Sequence, residues 1–382
     1  MIKADAIVIG GGLHGCSAAL NLARRGLKPV VIEKEWVGRH ASGVNAGGVR
    51  TLLRDPAEIP LSLASREIWH DIEAHIGADC GYHTVGQIAV AADDEALTSL
   101  EERAALVRDL GYEHEELIDG DEVRRLVPAL AGNCPGGLVV RQDGFASPYH
   151  TTMAFKHAGE TAGVKFHEGV RVEDVEQVGS DWRVKTSGGS FQAALVIHCA
   201  GTWSDWLTDM LGEPVPLSTF LPMMMVTAPV AHFVDPVVIG ASSSLAKRQA
   251  LSLKQGTNGT VVIGGGYPGI GDRDTLRSRI DFRQLTLSAS TVEMFFPHLA
   301  DVPIVRCWSG FEGRMPDDIP VIGPSSTAPG IFHAFGFCGH GFQLGPIVGQ
   351  IIADLAVDGK TTLPIEPFSI TRFKDWQGAL TD

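Results

Sequence analysis

The residues best placed to do chemistry stand at the start of the chain. Gly10-Gly-Gly-Leu-His-Gly15 follows the apolar run Ala6-Ile-Val-Ile9, and an Ala/Leu-rich stretch to Arg25 leads into Pro29-Val-Val-Ile-Glu33. The order reads as a buried strand, a glycine turn, a helix and a second strand ending in an acid. Gly10 permits the tight turn, Gly12 lets the backbone approach a pyrophosphate, and Gly15 lets the helix pack closely on the strand. The helix N-terminus offers free N–H groups and a partial positive charge to phosphates. Glu33 stands where a ribose hydroxyl is held. A GxGxxG string alone is weak, but strand, helix and acid at this spacing point to a dinucleotide site.

Such a turn needs a parallel sheet beneath it. Ala194 to Gly201 is a continuous apolar run ending in small residues, as a buried parallel strand should be. Gly330 to Phe335 reads as another strand, followed by a glycine turn, Gly336 to Gly341, and an apolar helix, Phe342 to Val357. Three strands ending in glycine turns place ligand contacts at one edge of a sheet. The cofactor domain is therefore expected to be discontinuous, built from 1–84, 146–213 and 308–382. A strand-rich substrate domain is expected from 85–145 and 214–307. Helices are expected near Pro60 to His75, Asp94 to Leu110 and Pro148 to Ala162, and strands at Gly86 to Ala91, at Gly137 to Val140 and in a meander from Val164 to Phe191. Val37 to Arg50 is too rich in breakers for a regular element.

Composition bounds the answer. A length of 382 residues favours two domains, and 44% hydrophobic with 20% charged residues suits a globular enzyme. The net charge of −14 argues against nucleic acid or an anionic membrane as partner. Its acidic clusters, Asp93 to Glu95, Glu101-Glu102 and Glu113 to Glu122, read as solvated faces. No apolar run reaches the ~20 residues of a membrane span. The first strand begins near the first residue, so no secretory signal and a cytoplasmic location are expected. Cys16, Cys80, Cys134, Cys199, Cys307 and Cys338 show no metal spacing and read as structural thiols, with no metal site expected.

Two late stretches extend the opening motif: Trp308-Ser-Gly-Phe-Glu-Gly-Arg-Met-Pro-Asp-Asp-Ile-Pro-Val-Ile-Gly323 and Gly336-Phe-Cys-Gly-His-Gly-Phe-Gln-Leu-Gly345. Together with Ala41 to Arg50 and Cys199-Ala-Gly-Thr-Trp203, they make the chain resemble the D-amino acid oxidase superfamily of flavoproteins. The branch is that of the sarcosine oxidase beta subunit, glycine oxidase, D-amino acid dehydrogenase and opine oxidase, and the resemblance covers nearly the whole chain. It implies an α/β fold: an FAD-binding Rossmann-like domain of the glutathione-reductase type with an inserted antiparallel-sheet substrate domain.

The resemblance further implies FAD, with its pyrophosphate on Gly10 to Gly15, including Leu13 and His14, and its ribose at Glu33 and Lys34. Ser42, Asn45, Ala46 and Gly47 would follow the pyrophosphate and ring, and the Val172 backbone would touch adenine. Ala200, Gly201, Trp203 and Gly310 would complete the cofactor site. Gly339, His340, Gly341, Phe342 and Gln343 would sit by the pyrimidine side, where a helix N-terminus suits the negative charge of a reduced flavin. The bland reading of His14 is a solvent-exposed or subunit-facing histidine.

The implied reaction is hydride transfer from the carbon beside an amine to flavin N5, giving an imine that water hydrolyses. The protein's part is to hold the amine neutral and its carbon over N5. Candidate catalytic residues are Arg50 for a substrate carboxylate, Glu312, His340 and Gln343. Glu312 could bind a cationic amine or guanidinium, or be structural. Monomeric sarcosine oxidases have a lysine where this chain has Gln343, which donates a hydrogen bond but no charge. They link FAD covalently through a cysteine where Gly310 stands, so FAD should be non-covalent here; the nearby Cys307 is out of register. Gly264-Gly-Gly266 stands where they carry a lysine that promotes reaction with oxygen, so either oxygen or another carrier could accept the electrons. His150 lies near the position that links FMN in heterotetrameric sarcosine oxidase, but its flanks differ. FMN is expected only with a partner subunit, and an ordinary helix-start histidine otherwise.

The leading expectation is an FAD-dependent oxidoreductase of an N-alkyl glycine, D-amino acid, D-proline analogue or opine. The alternative is a beta-type subunit of a hetero-oligomeric amine or opine dehydrogenase, partnered by an iron–sulfur or second flavin subunit. An NAD(P)-linked reductase is disfavoured, because Gly264-Gly-Gly266 precedes Tyr-Pro rather than a helix.

Overall fold

Ala6–Ile9 lies inside a six-stranded sheet, between Pro29–Ile32 and Leu195–His198 and parallel to both. Lys165–His167 continues one side and Ile331–Phe335 the other, also parallel, and Val321–Pro324 closes the edge antiparallel. The computed structural model describes residues 1–241 and 251–376. Alternate residues of the first strand face opposite ways. Ala6 and Val8 pack on the helices Leu13–Arg24 and Gly341–Asp358, whereas Ile7 and Ile9 pack beneath a second, four-stranded sheet. Both faces being covered, the strand is apolar throughout and fully buried.

The four-stranded sheet is the meander expected from Val164 to Phe191, formed by Val172–Val178, Asp181–Thr186 and Gly189–Ala193 with Ile2–Lys3 added in parallel. The first of the predicted meander segments, Lys165–His167, instead joins the parallel sheet.

A separate eight-stranded sheet forms from two stretches of sequence. Glu116–Asp119, Gly136–Val140 and Gln87–Ala91 supply one side; Val237–Ala241, Leu251–Gln255, Val261–Pro268, Pro222–Thr227 and Ile304–Ser309 supply the other. All its pairs are antiparallel except Val237–Ala241 with Gln87–Ala91. The expectation of strand-rich structure across 242–250 lies outside the described residues.

Three local expectations change. Phe282–Phe295 is a helix inside the stretch read as strands. Asp281 caps it by accepting from the Arg283 and Gln284 N–H groups, and Val292 and Phe295 bury its apolar stripe. Its Ser, Thr and Val content masks a helix that packing stabilises. The acidic run at Glu113 to Glu122 holds an edge strand, Glu116–Asp119, and then a helix, Gly120–Leu126, capped by Asp119. The helix expected from Pro60 to His75 is two, Ile59–His70 and Ile72–Ile76, separated at Asp71. Among the described residues no helix is long and apolar enough to cross a membrane.

Candidate active site

The carboxyl ends of the parallel strands open onto a cavity of about 1000 Å³. That is the upper end of the range for ligand sites, ~300–1,000 Å³. It runs from Glu33 and Val172, past the glycine turns, to the eight-stranded sheet, where Gln87, Met224, Ile239, Lys254 and Gly264 line it.

At the opening motif, backbone takes the place of side chains. Gly10 has φ +107°, and a Cβ there would stand 2.3 Å from the Cys199 carbonyl oxygen. Only glycine meets both constraints. A Cβ on Gly12 would come within 2.9 Å of Ser42 Oγ, which accepts a hydrogen bond from the Leu13 N–H at 2.9 Å. Gly15 serves packing alone: its Cβ would meet Gly10 O at 2.0 Å, and it does not reach the cavity. Glu33 lies on the wall and accepts from the N–H groups of Gly11 and Glu35 at 2.7 and 2.9 Å. Burial raises its pKa against those two bonds. The Lys34 ammonium sits 2.9 Å from the centroid of the Trp203 ring, and burial lowers its pKa to about 8.

Asn45 shapes the next turn by accepting from the Gly47 N–H at 2.8 Å and donating to Ala41 O at 2.9 Å. Ala46, Gly47, Val172, Ala200, Gly201, Gly310, Gly339, Gly341 and Phe342 share the same wall. Helix Gly341–Asp358 points its N-terminus at the cavity. A long, glycine-lined path ending at two helix N-termini fits an extended diphosphate dinucleotide such as FAD.

Some sequence expectations do not survive the geometry. His14 is neither exposed nor subunit-facing: its ring stacks flat on Phe337, centroids 3.7 Å apart and 7° from parallel, and burial pushes its pKa down to about 3. His340 and Gln343 do not line the cavity. His340 Nδ1 lies 2.7 Å from Glu58 Oε2, and burial lowers the imidazole to about 4. Gln343 is 1% exposed; its amide donates to Ser62 O at 2.7 Å and accepts from Ser62 Oγ at 3.2 Å. A helix turns 100° per residue, so Phe342 faces the cavity while Gln343 faces the neighbouring helix Ile59–His70. Gln343, expected to hydrogen-bond the substrate, is therefore turned away from the cavity.

The cationic end holds two arginines, and only Arg50 was legible in the sequence. Arg50 Nη1 donates to Leu52 O at 2.6 Å. Arg54 also lines the cavity; its Nε donates to Arg50 O at 2.8 Å, while Nη2 makes only 3.5 Å contacts to His340 O and Gln343 Oε1. Its Nη1 is buried with no hydrogen-bond partner. Burial and the Arg50 charge lower Arg54 to about 9, which still leaves it cationic at neutral pH. A buried, half-satisfied guanidinium is costly and marks a place for an anion. Glu58 lies beneath it: burial raises its pKa, but His340, Arg54 and Arg50 outweigh that and hold it below the ordinary carboxylate range. No sequence signal marks Arg54: it follows Arg50 by four residues, but through a turn rather than along a helix.

Glu312 reaches the wall, but its Oε1 accepts from the Gly339 N–H at 2.6 Å, so it braces the glycine turn, and burial raises its pKa. Cys307 pairs with Met225 across the eight-stranded sheet and stays off the wall. His150 is exposed on the first turn of helix Pro148–Thr161. Among the described residues no cluster of His, Cys, Asp or Glu could hold a metal ion.

Known proteins are similar to this chain in sequence and fold. Glycine oxidase of Geobacillus kaustophilus is 27% identical over 376 residues, covering 96% of this chain and 97% of its own. An opine oxidase subunit of Rhizobium meliloti is 26% identical, covering 98% of each. The crystal structure of L-proline dehydrogenase from P. horikoshii superposes with a TM-score of 0.88, at 26% identity over 98% of both chains. The sequence signature of the DAO-type FAD dependent oxidoreductases spans residues 5–355, and the chain belongs to that family.

Proposed function

We propose that this FAD-dependent oxidoreductase oxidises the C–N bond of a carboxylate-bearing amine or amino acid, giving an imine that hydrolyses. One observation carries the reading: the buried Arg54 guanidinium, its Nη1 unpaired, stands in the same cavity as the glycine path. Similarity to a glycine oxidase, an opine oxidase component and a proline dehydrogenase supports an amino-acid or amine substrate. When bound, FAD supplies a hydride acceptor at N5.

The chain's own residues do the rest. Arg54, held by the Arg50 carbonyl, takes the substrate carboxylate, and Arg50 adds a second positive charge. Apolar side chains of Met224 and Ile239 exclude water from the reacting carbon. A carboxylate fixed at one end sets the orientation of the carbon that loses hydride. Non-covalent FAD is supported by Gly310, which has no side chain, and by Cys199 on the wall, whose thiol burial pushes up to about 12. Anaerobic mixing with secondary amines and amino acids should bleach the flavin absorbance. A flavin that no member of such a panel bleaches refutes the proposal.

A beta-type role in a hetero-oligomer is the second reading. The similarity to one component of an opine oxidase favours it, as do Val305, 61% exposed on the edge strand Ile304–Ser309, and Phe282, 74% exposed on the helix Phe282–Phe295. Full turnover with oxygen by the isolated chain sinks it.

A further inference from the structure

The same cavity holds a second, partly buried cation that meets no anion among the described residues. Lys254 stands on the strand Leu251–Gln255, where the two-residue period puts Leu253 into the apolar core and Ser252 and Lys254 on the cavity wall. Its acceptor among the described residues is Ala146 O, at 3.5 Å, and its Nζ lies 4.5 Å from the Phe145 ring centroid. No described carboxylate pairs with it, and residues 242–250 contain no acid. Burial alone moves its pKa, down to about 8, with no anion nearby to restore it.

Lys254 is also placed relative to the arginines. A Cβ on Gly47 would come within 2.9 Å of Lys254 Nζ, and Gly47 and Arg50 flank the two-residue strand Gly48–Val49. Cations at two separate points of one cavity suit a secondary amine carrying a carboxyl-bearing carbon on each side of its nitrogen.

Resting on the function proposed above, we infer that the substrate is a dicarboxylate secondary amine, with one carboxylate on Arg54 and Arg50 and the other on Lys254. The amine nitrogen and its oxidisable carbon then lie between the two anchors, over the path of Ala46 and Gly47. Lys254 acts in binding and selection; the hydride still leaves the carbon beside nitrogen, and water still hydrolyses the imine.

The test compares iminodiacetate with sarcosine, which differ by one carboxylate, using purified holoenzyme and anaerobic flavin bleaching. The wild type should favour iminodiacetate by at least tenfold in kcat/KM, and Lys254→Met should cut that preference about tenfold or more. Lys254→Arg should restore part of it. Thiodiacetate, which cannot be oxidised at an amine, gives a readout independent of turnover: its perturbation of the flavin spectrum should require about tenfold more ligand in the Lys254→Met holoenzyme. Lys254→Gln serves if the methionine variant loses its flavin. Equal preference for the two amines, an unchanged preference in the variants, or an effect confined to reoxidation by oxygen overturns the second anchor and leaves amine oxidation standing. Failure of every amine to bleach the flavin overturns both.

Discussion

Arg54 Nε donates to the main-chain oxygen of Arg50 at 2.8 Å, so the backbone of one arginine aims the guanidinium of the other. The planar guanidinium, fixed at one nitrogen, leaves Nη1 to meet a carboxylate. Arg54→Met should raise KM for a carboxylate substrate about 30-fold, the loss of roughly 2 kcal/mol of charge-assisted bonding. Arg54→Lys should recover little, since an ammonium cannot bond Arg50 O and the ligand in the same fork. Steady-state kinetics on both variants checks this; a KM within twofold of wild type removes Arg54 from the site.

Gly10→Ala should abolish flavin binding. The new Cβ would meet Cys199 O at 2.3 Å in a conformation with φ +107°. Backbone strain of this kind costs about 1–3 kcal/mol before the clash is counted. The flavin-to-protein absorbance ratio should fall below about a tenth of wild type, whereas exposed Gly163→Ala, whose Cβ meets nothing, should keep its flavin.

Gln343→Leu should weaken the fold and raise KM far less than Arg54→Met does. The amide bonds Ser62 and lies 3.5 Å from Arg54 Nη2, and leucine leaves the buried Ser62 Oγ without its acceptor. The expected loss is about 2 kcal/mol of stability. Thermal unfolding and KM measured together decide it: a raised KM with unchanged stability returns Gln343 to the substrate.

Acid should destabilise the protein well above the usual carboxylate range. His14 and His340 are held neutral by burial, near 3 and 4, while in the unfolded chain each protonates near the ordinary histidine pKa of ~6.5. Between those values the unfolded chain binds more protons, so stability rises with pH. It is fully present above about 6.5 and drains away as pH falls toward 4. Melting temperatures across that window should drop steadily, and His14→Phe, which keeps a ring against Phe337, should flatten the slope.

The sequence made the first unit legible because its determinants are local. A buried strand, a turn that only glycine can make and a helix N-terminus lie within twenty residues of one another, and Gly10, Gly12 and Gly15 each reflect a contact that backbone geometry dictates. Distant motifs from Trp308 to Gly345 carried the resemblance that implied the cofactor, and Gly310, Gly313, Gly336, Gly339 and Gly341 among them line the same wall. The helix Phe282–Phe295 was illegible, because its stability comes from Val292 and Phe295 packing on a sheet rather than from its own residues.

The tertiary structure alone decided which polar side chains meet a ligand. Gln343 and Phe342 are neighbours in sequence, yet the helical turn sends one to Ser62 and the other to the cavity. Arg54 and Lys254 carry no motif, and they lie two hundred residues apart. They share a cavity because a loop anchored beside the parallel sheet and a strand of the eight-stranded sheet close on the same space. Charge on a side chain is written in the sequence; whether water or a substrate answers it depends on what the fold buries around it.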